Sequence, residues 1–147
     1  YALVALARRH EITVMSVPGP CAATAALSIA GLPTDRYCFE GFLPRRDARR
    51  ATRLRELAAE SRTLVFYEAV HRMPATLAEL AAAFGDERRA AVARELTKLF
   101  ETVYVDTLGA QVRALLKRFD IRATVTVPAA MAGPIFNGRF FGGLFLL

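Results

Sequence analysis

Four apolar residues, Ala90 to Ala93, run without interruption into a crowded polar segment carrying Arg94, Glu95, Thr97, Lys98 and Glu101. This junction constrains the fold more than any other feature. A short apolar run with no alternation is the pattern of a strand covered on both faces, as in the sheet of an α/β domain. Charges crowd the end of such a strand only where something holds them, because burying them unpaired is costly. In open α/β folds ligands bind beyond the carboxyl ends of the strands. The segment therefore reads as a site.

The rest of the chain alternates in the same way. Tyr1 to Arg9 is helical by period, and Ile12 to Val17 follows as a β-branched, apolar strand. Pro18-Gly19-Pro20 stops that strand. An alanine-rich helix from Cys21 to Ala30 follows and ends at Gly31, a natural C-cap. Phe39 to Phe42 reads as extended, residues 45–60 as a charged helix, and Thr63 to Tyr67 as a strand. Pro74 opens a helix running to Phe84, stopped by Gly85. Glu101 to Val105 is expected as an antiparallel strand, Leu108 to Phe119 as an amphipathic helix, and Ile121 to Val127 as a further strand. Strands alternating with helices predict an α/β fold.

Hydrophobic residues make up 54% of the 147 positions and charged ones 23%, which excludes a disordered chain. The net charge of +6 favours a polyanionic partner, nucleic acid being the usual one. Cys21 and Cys38 are the only thiols and lack metal-ligand spacing, so a reduced, cytoplasmic protein is expected. There is no signal peptide, and the first residues look like a helix already under way, which points to a truncated start. Pro134, Asn137 and Arg139 interrupt the apolar end, so no membrane span is expected.

Three stretches carry candidate chemistry. Arg45, Arg46, Arg49, Arg50, Arg53 and Arg55 are opposed within that stretch only by Asp47, and 45, 49 and 53 form one helical stripe. Like charges at that spacing repel, so phosphate neutralisation explains the stripe; a solvated helix face is the alternative. Glu68 and His71 have the spacing of half a di-iron ligand set, but no second copy exists, so no metal is expected. Contact with substrate or cofactor, or simple capping, remain for that loop. Pro18-Gly19-Pro20 is either a plain turn or one whose amides approach a small molecule. No glycine-rich phosphate motif is present.

Taken together, these blocks resemble one family. Pro18-Gly-Pro-Cys-Ala22, Gly31-Leu-Pro-Thr-Asp-Arg36, Phe39-Glu-Gly-Phe-Leu-Pro44, Thr63-Leu-Val-Phe-Tyr-Glu68, His71-Arg72 and Ala93-Arg-Glu-Leu-Thr-Lys98 with Glu101 are similar, in order, to bacterial small-subunit ribosomal RNA cytidine-2′-O-methyltransferases of the tetrapyrrole methylase superfamily. The resemblance covers about residues 1–118. It implies two α/β domains with S-adenosylmethionine in the cleft between them, and a homodimer. Residues 1–17 would be the last helix and strand of the N-terminal domain. Residues 18–127 would be the C-terminal domain, a mixed sheet flanked by helices, and 128–147 an atypical hydrophobic tail. The N-terminal domain's glycine-rich motifs would precede Tyr1.

The same resemblance implies roles. Pro20, Cys21, Ala22, Tyr67, Arg94 and Thr97 would contact the cofactor, although the family usually has serine at position 21. Arg45, Arg46, Arg49, Arg50, Arg53, Arg72 and Lys98 would meet ribosomal RNA of the small ribosomal subunit. The enzyme's main task would be in-line placement of a ribose 2′-hydroxyl, with Glu68, Glu95 or His71 accepting its proton. Pairing within the cluster, for instance of Glu95 or Glu101 with Arg94, is the structural alternative. A methylase of corrin or porphyrin precursors, a non-catalytic RNA-binding module and an inert fragment compete with that reading.

Overall fold

The structure, a computed structural model, describes residues 1–118 and 142–146, with side chains described as far as residue 114. The elements are α1 (Ala2–Arg9), α2 (Ala22–Ile29), β1 (Tyr37–Phe42), α3 (Asp47–Leu57), β2 (Thr63–Ala69), α4 (Met73–Phe84), β3 (Arg89–Arg94), β4 (Thr102–Thr107), α5 (Leu108–Arg118) and β5 (Gly142–Leu146). A 3-10 turn, Val70–Arg72, joins β2 to α4. Pro74 lies in the first turn of α4, where a missing N–H costs nothing, and Gly85 closes that helix with a φ of 89°. Asp47 sits in the first turn of α3, where its charge suits the helix dipole.

The sheet order is β1-β2-β5-β3-β4. β1 and β2 are parallel, β5 is antiparallel to both β2 and β3, and β4 is antiparallel to β3. Successive residues of β2 and β3 point to opposite faces, and both faces are covered. Leu64, Phe66, Ala90 and Val92 pack beneath α3, α4 and α5 through Leu54, Leu57, Leu77, Leu80 and Leu108. Val65, Ala91 and Ala93 pack on the other side against Ala23, Ala26, Leu27 and Ala30 of α2. This is why neither run alternates in sequence. The expected mixed sheet flanked by helices is what the chain forms.

One expected strand is absent. Ile12 to Val17 forms no strand pairing with any described residue, and its side chains are exposed. A strand needs a neighbouring strand to share its backbone hydrogen bonds, and no described strand pairs with this segment; the Ile12 amide instead donates to the Ala7 carbonyl of α1 at 2.9 Å. Of the anticipated final helix and strand of a preceding domain, only α1 forms. Gly142–Leu146, within the stretch set apart as a tail, lies between β2 and β3 and pairs with both. The strand expected at Ile121 to Val127 lies outside the described residues. Among the described residues no helix is long and apolar enough to cross a membrane.

Candidate functional site

A groove of about 560 Å³ opens where the start of α2 meets the β3–β4 loop, lined by Gly19, Pro20, Cys21, Ala22, Thr24, Ala25, Leu96 and Thr97. Pro18-Gly19-Pro20 delivers the chain to Cys21, which caps α2 from an extended conformation (φ −129°, ψ 116°). Leu96 packs on the apolar core beneath α2 and draws the loop over the helix start. Pro20, Cys21, Ala22 and Thr97, far apart in sequence, are thereby brought together.

The loop is shaped by its own charges. Glu95 and Thr97 both have left-handed backbone conformations, at φ 55° and 63°. Such values cost a non-glycine residue roughly 1–3 kcal/mol, most of all a β-branched one, unless the surroundings impose them. Here the Thr97 amide donates to Glu101 Oε2 at 2.6 Å. The Lys98 amide donates to the Glu95 carbonyl at 2.9 Å, and Lys98 Nζ lies 3.4 Å from Glu95 Oε2. Two buried atoms in this stretch, Arg94 Nε and Glu95 Oε1, have no hydrogen-bond partner among the described residues. Unsatisfied buried polar atoms are rare, and they concentrate where a ligand or water completes the set.

Cys21 is exposed in the groove wall. Hydrogen bonds from the Thr24 amide, then the Thr24 hydroxyl, then the Ala23 amide lower its thiol below the ordinary value. Cys38 differs: burial raises its thiol, although Arg62 pulls the other way.

The Glu68 loop does not share this groove. Tyr67 faces α2, so Glu68, the next residue of the strand, faces the opposite side. Glu68 is 2% exposed. It accepts hydrogen bonds from Thr76 Oγ1 at 2.8 Å and from its neighbour, the Ala69 amide, at 2.9 Å. Arg50 Nη2 lies 3.5 Å from its Oε2, and Arg72 Nε 3.6 Å from its Oε1. A carboxylate enclosed in this way is satisfied by contacts within the fold and, expected as a proton acceptor, does not open onto the groove beside α2. His71 is exposed in the 3-10 turn, and Arg72 is committed to Glu68.

The arginine stripe divides. Arg50, 5% exposed, is also buried: it pairs with Glu79 through Nε and donates to Thr76 Oγ1 at 2.6 Å, so it is not available to RNA. Arg53 is clamped by both oxygens of Glu40, at 2.9 and 2.8 Å, and by Glu56 at 2.8 Å. Arg45, Arg46 and Arg49 are exposed and have no ion-pair partner among the described residues. Sequence reasoning missed Leu96 as the anchor of the loop. An apolar residue set between Glu95 and Thr97 was the available signal, although Leu99 and Phe100 share the segment and stay exposed.

A sequence model of the tetrapyrrole (corrin/porphyrin) methylases matches residues 1–111. Ribosomal RNA small subunit methyltransferase I of Xylella fastidiosa (strain 9a5c) is 56% identical over 109 residues, covering 74% of this chain and 40% of that protein. The proteins of that name from Pseudomonas aeruginosa and Escherichia coli O157:H7 are 55% identical over 101 residues and 48% identical over 109. Those matches cover 69% and 74% of this chain, and 36% and 38% of the two proteins. The chain thus spans less than half the length of these curated relatives. Among solved structures, the methyltransferase CobJ superposes with a TM-score of 0.56 at 20% identity, covering 98% of this chain and 55% of that one. The cobalt precorrin-4 methyltransferase CbiF superposes with 0.54 at 15%, covering 99% and 56%. At such identities the superpositions establish the fold alone.

Proposed function

The chain belongs to the tetrapyrrole (corrin/porphyrin) methylase family, and from that membership we propose that it is part of an S-adenosylmethionine-dependent enzyme that methylates a ribose 2′-hydroxyl of small-subunit ribosomal RNA. The observation that carries this reading is the groove between the α2 start and the strained β3–β4 loop. Its volume falls within the range of small-molecule sites. Next to the groove, Arg94 Nε and Glu95 Oε1 are buried without a hydrogen-bond partner among the described residues, although neither residue lines it and Arg94, after Ala93 in the strand, faces the other side of the sheet. Relatives named for ribosomal RNA, rather than for macrocycles, support the choice of substrate. So do Arg45, Arg46 and Arg49, exposed and without an ion-pair partner among the described residues.

Pro20, Cys21, Ala22 and Thr97 would hold the cofactor, which when bound supplies an electrophilic methyl group. The protein's own work is then to orient the hydroxyl and take its proton. Of the three expected acceptors, Glu95 is the one carried by the loop that borders the groove; Lys98 fixes one of its oxygens and the other has no partner among the described residues. Arg45, Arg46 and Arg49 would hold phosphates. On this reading the enzyme works in the cytoplasm as a homodimer.

The test is transfer of tritiated methyl from labelled cofactor to unmethylated small ribosomal subunits. Label should appear in RNA at an alkali-resistant linkage, since a methylated 2′-oxygen cannot attack the adjacent phosphodiester. Glu95→Gln should slow transfer about 10²–10⁴-fold, the usual worth of a positioned base. Label in a tetrapyrrole acceptor instead of RNA would overturn the reading.

A further inference from the structure

Phe39 and Phe42 stand three residues apart in β1, a spacing that puts side chains on opposite faces of a regular strand. In this structure they share a face. The register between β1 and β2 shifts between Phe39 and Gly41, so Phe39 lies opposite Val65 and Phe42 opposite Tyr67. Val65 and Tyr67 both belong to the α2 side of the sheet. Glu40 is the extra residue of this bulge, and Gly41 accommodates it with a φ of 64°. The result is an aromatic cluster. Phe39 meets Tyr67 edge-on at 5.3 Å (76°), and Phe42 lies 5.6 Å from the same ring at 48°.

Packing does not account for the cluster, because Phe39 is 55% and Phe42 65% exposed. The chain directly after Phe42 carries Pro44, then the exposed Arg45 and Arg46 at the start of α3. Within three residues the chain reaches at most ~11 Å, so Arg45 stays close to the rings. The one carboxylate within the bulge, Glu40, is neutralised by Arg53. Exposed aromatic rings beside cations that, as here, have no ion-pair partner among the described residues are the arrangement that binds unpaired nucleotides, with bases stacking on the rings and phosphates meeting the arginines.

We propose that Phe39, Phe42 and Tyr67 form a stacking platform for the bases of single-stranded RNA, with Arg45 and Arg46 holding the adjoining phosphates. The platform lies on the same face of the sheet as α2 and Leu96. It rests on the RNA-methylation reading and adds the means by which unpaired substrate nucleotides are presented.

The test is fluorescence titration of the 147-residue chain with a single-stranded RNA oligomer carrying 2-aminopurine, across about 50 to 200 mM salt. Phe39→Leu and Phe42→Leu keep apolar bulk but remove the stacking face. Each should weaken binding about 5- to 150-fold and relieve the quenching of 2-aminopurine, with the salt dependence unchanged. Arg45→Gln and Arg46→Gln should each make the logarithmic salt slope shallower by about 0.7. Wild-type affinity in both phenylalanine variants would overturn the proposal. So would a wild-type chain that binds no RNA, or losses that track a change in oligomeric state by sedimentation. Stacking intact without methyl transfer to RNA would sink the methylation reading alone. Methyl transfer with stacking unaffected by the variants would sink the platform alone.

Discussion

Replacing Arg50 with methionine distinguishes a buried structural arginine from an RNA-facing one. In the structure Arg50 and Glu68 are enclosed, with side chains 6% and 2% exposed. Thr76 Oγ1 relays between them, accepting from Arg50 at 2.6 Å and donating to Glu68 at 2.8 Å. Arg50→Met would leave Glu68 with Thr76, one backbone amide and Arg72 at 3.6 Å. Removing one partner of a buried ion pair typically costs about 3–5 kcal/mol, and the residual contacts favour the lower end, about 3 kcal/mol. For a chain of this size that lowers Tm by roughly 6–12 °C. Urea unfolding followed by far-UV circular dichroism measures the cost. Glu68→Gln keeps the Thr76 contact and leaves Arg50 paired with Glu79, so it should cost less, about 1–3 kcal/mol. The double variant should be less destabilised than the sum, with a coupling of about 0.5–3 kcal/mol. An Arg50→Met protein within about 0.5 kcal/mol of wild type, but with weaker RNA binding and a shallower salt slope, would refute the assignment.

Glu60 is held down to about 2 by hydrogen bonds from the Arg62 side chain and then the Arg62 amide. A depressed carboxyl stabilises the fold above its unfolded value and loses that contribution as pH falls through the folded one. Urea midpoints should therefore drop between about pH 4.5 and 2, and Glu60→Gln should flatten that part of the profile; parallel curves for the two proteins would contradict it. Iodoacetamide near about pH 8 should modify Cys21 faster than Cys38, because hydrogen bonds lower the first thiol and burial raises the second. Peptide mass spectrometry reads the order, and the reverse order would count against the Cys21 geometry. Gly109→Ala should destabilise by about 1–3 kcal/mol, since its new Cβ would come within 2.8 Å of Asp86 Cβ and Cγ. An unchanged urea midpoint would mean that α5 docks differently.

The strands covered on both faces were readable because their apolar runs lack alternation. The groove was readable through the pattern of Pro18 to Ala22 and Ala93 to Glu101. Helical spacing alone did not show which arginines face solvent. The inward row of α3 is Arg50, Leu54 and Leu57, and its first member is charged only because Glu68, Thr76 and Glu79 wait for it from other elements. Strand parity separates Tyr67 from Glu68: consecutive residues of β2 cannot line the same surface, which places the two on opposite faces of the sheet. Ile12 to Val17 has strand composition but pairs with no described strand, and a local pattern does not report pairing. The pairing of Phe39 with Phe42 depends on a bulge that the isolated Gly41 hints at, without stating its register.

That bulge has a second effect. β1 is an outer strand of the sheet, and a flat outer strand rich in Tyr and Phe offers its free backbone groups to any other copy that drifts past. Gly41 and the Glu40–Arg53 clamp break the regular spacing of those groups and set charge on the rim. Straightening that rim would do more than misplace two rings. It would restore a regular row of free backbone groups along the rim, the feature by which outer strands recruit other copies, so Gly41 serves both the placement of the rings and the irregularity of the edge.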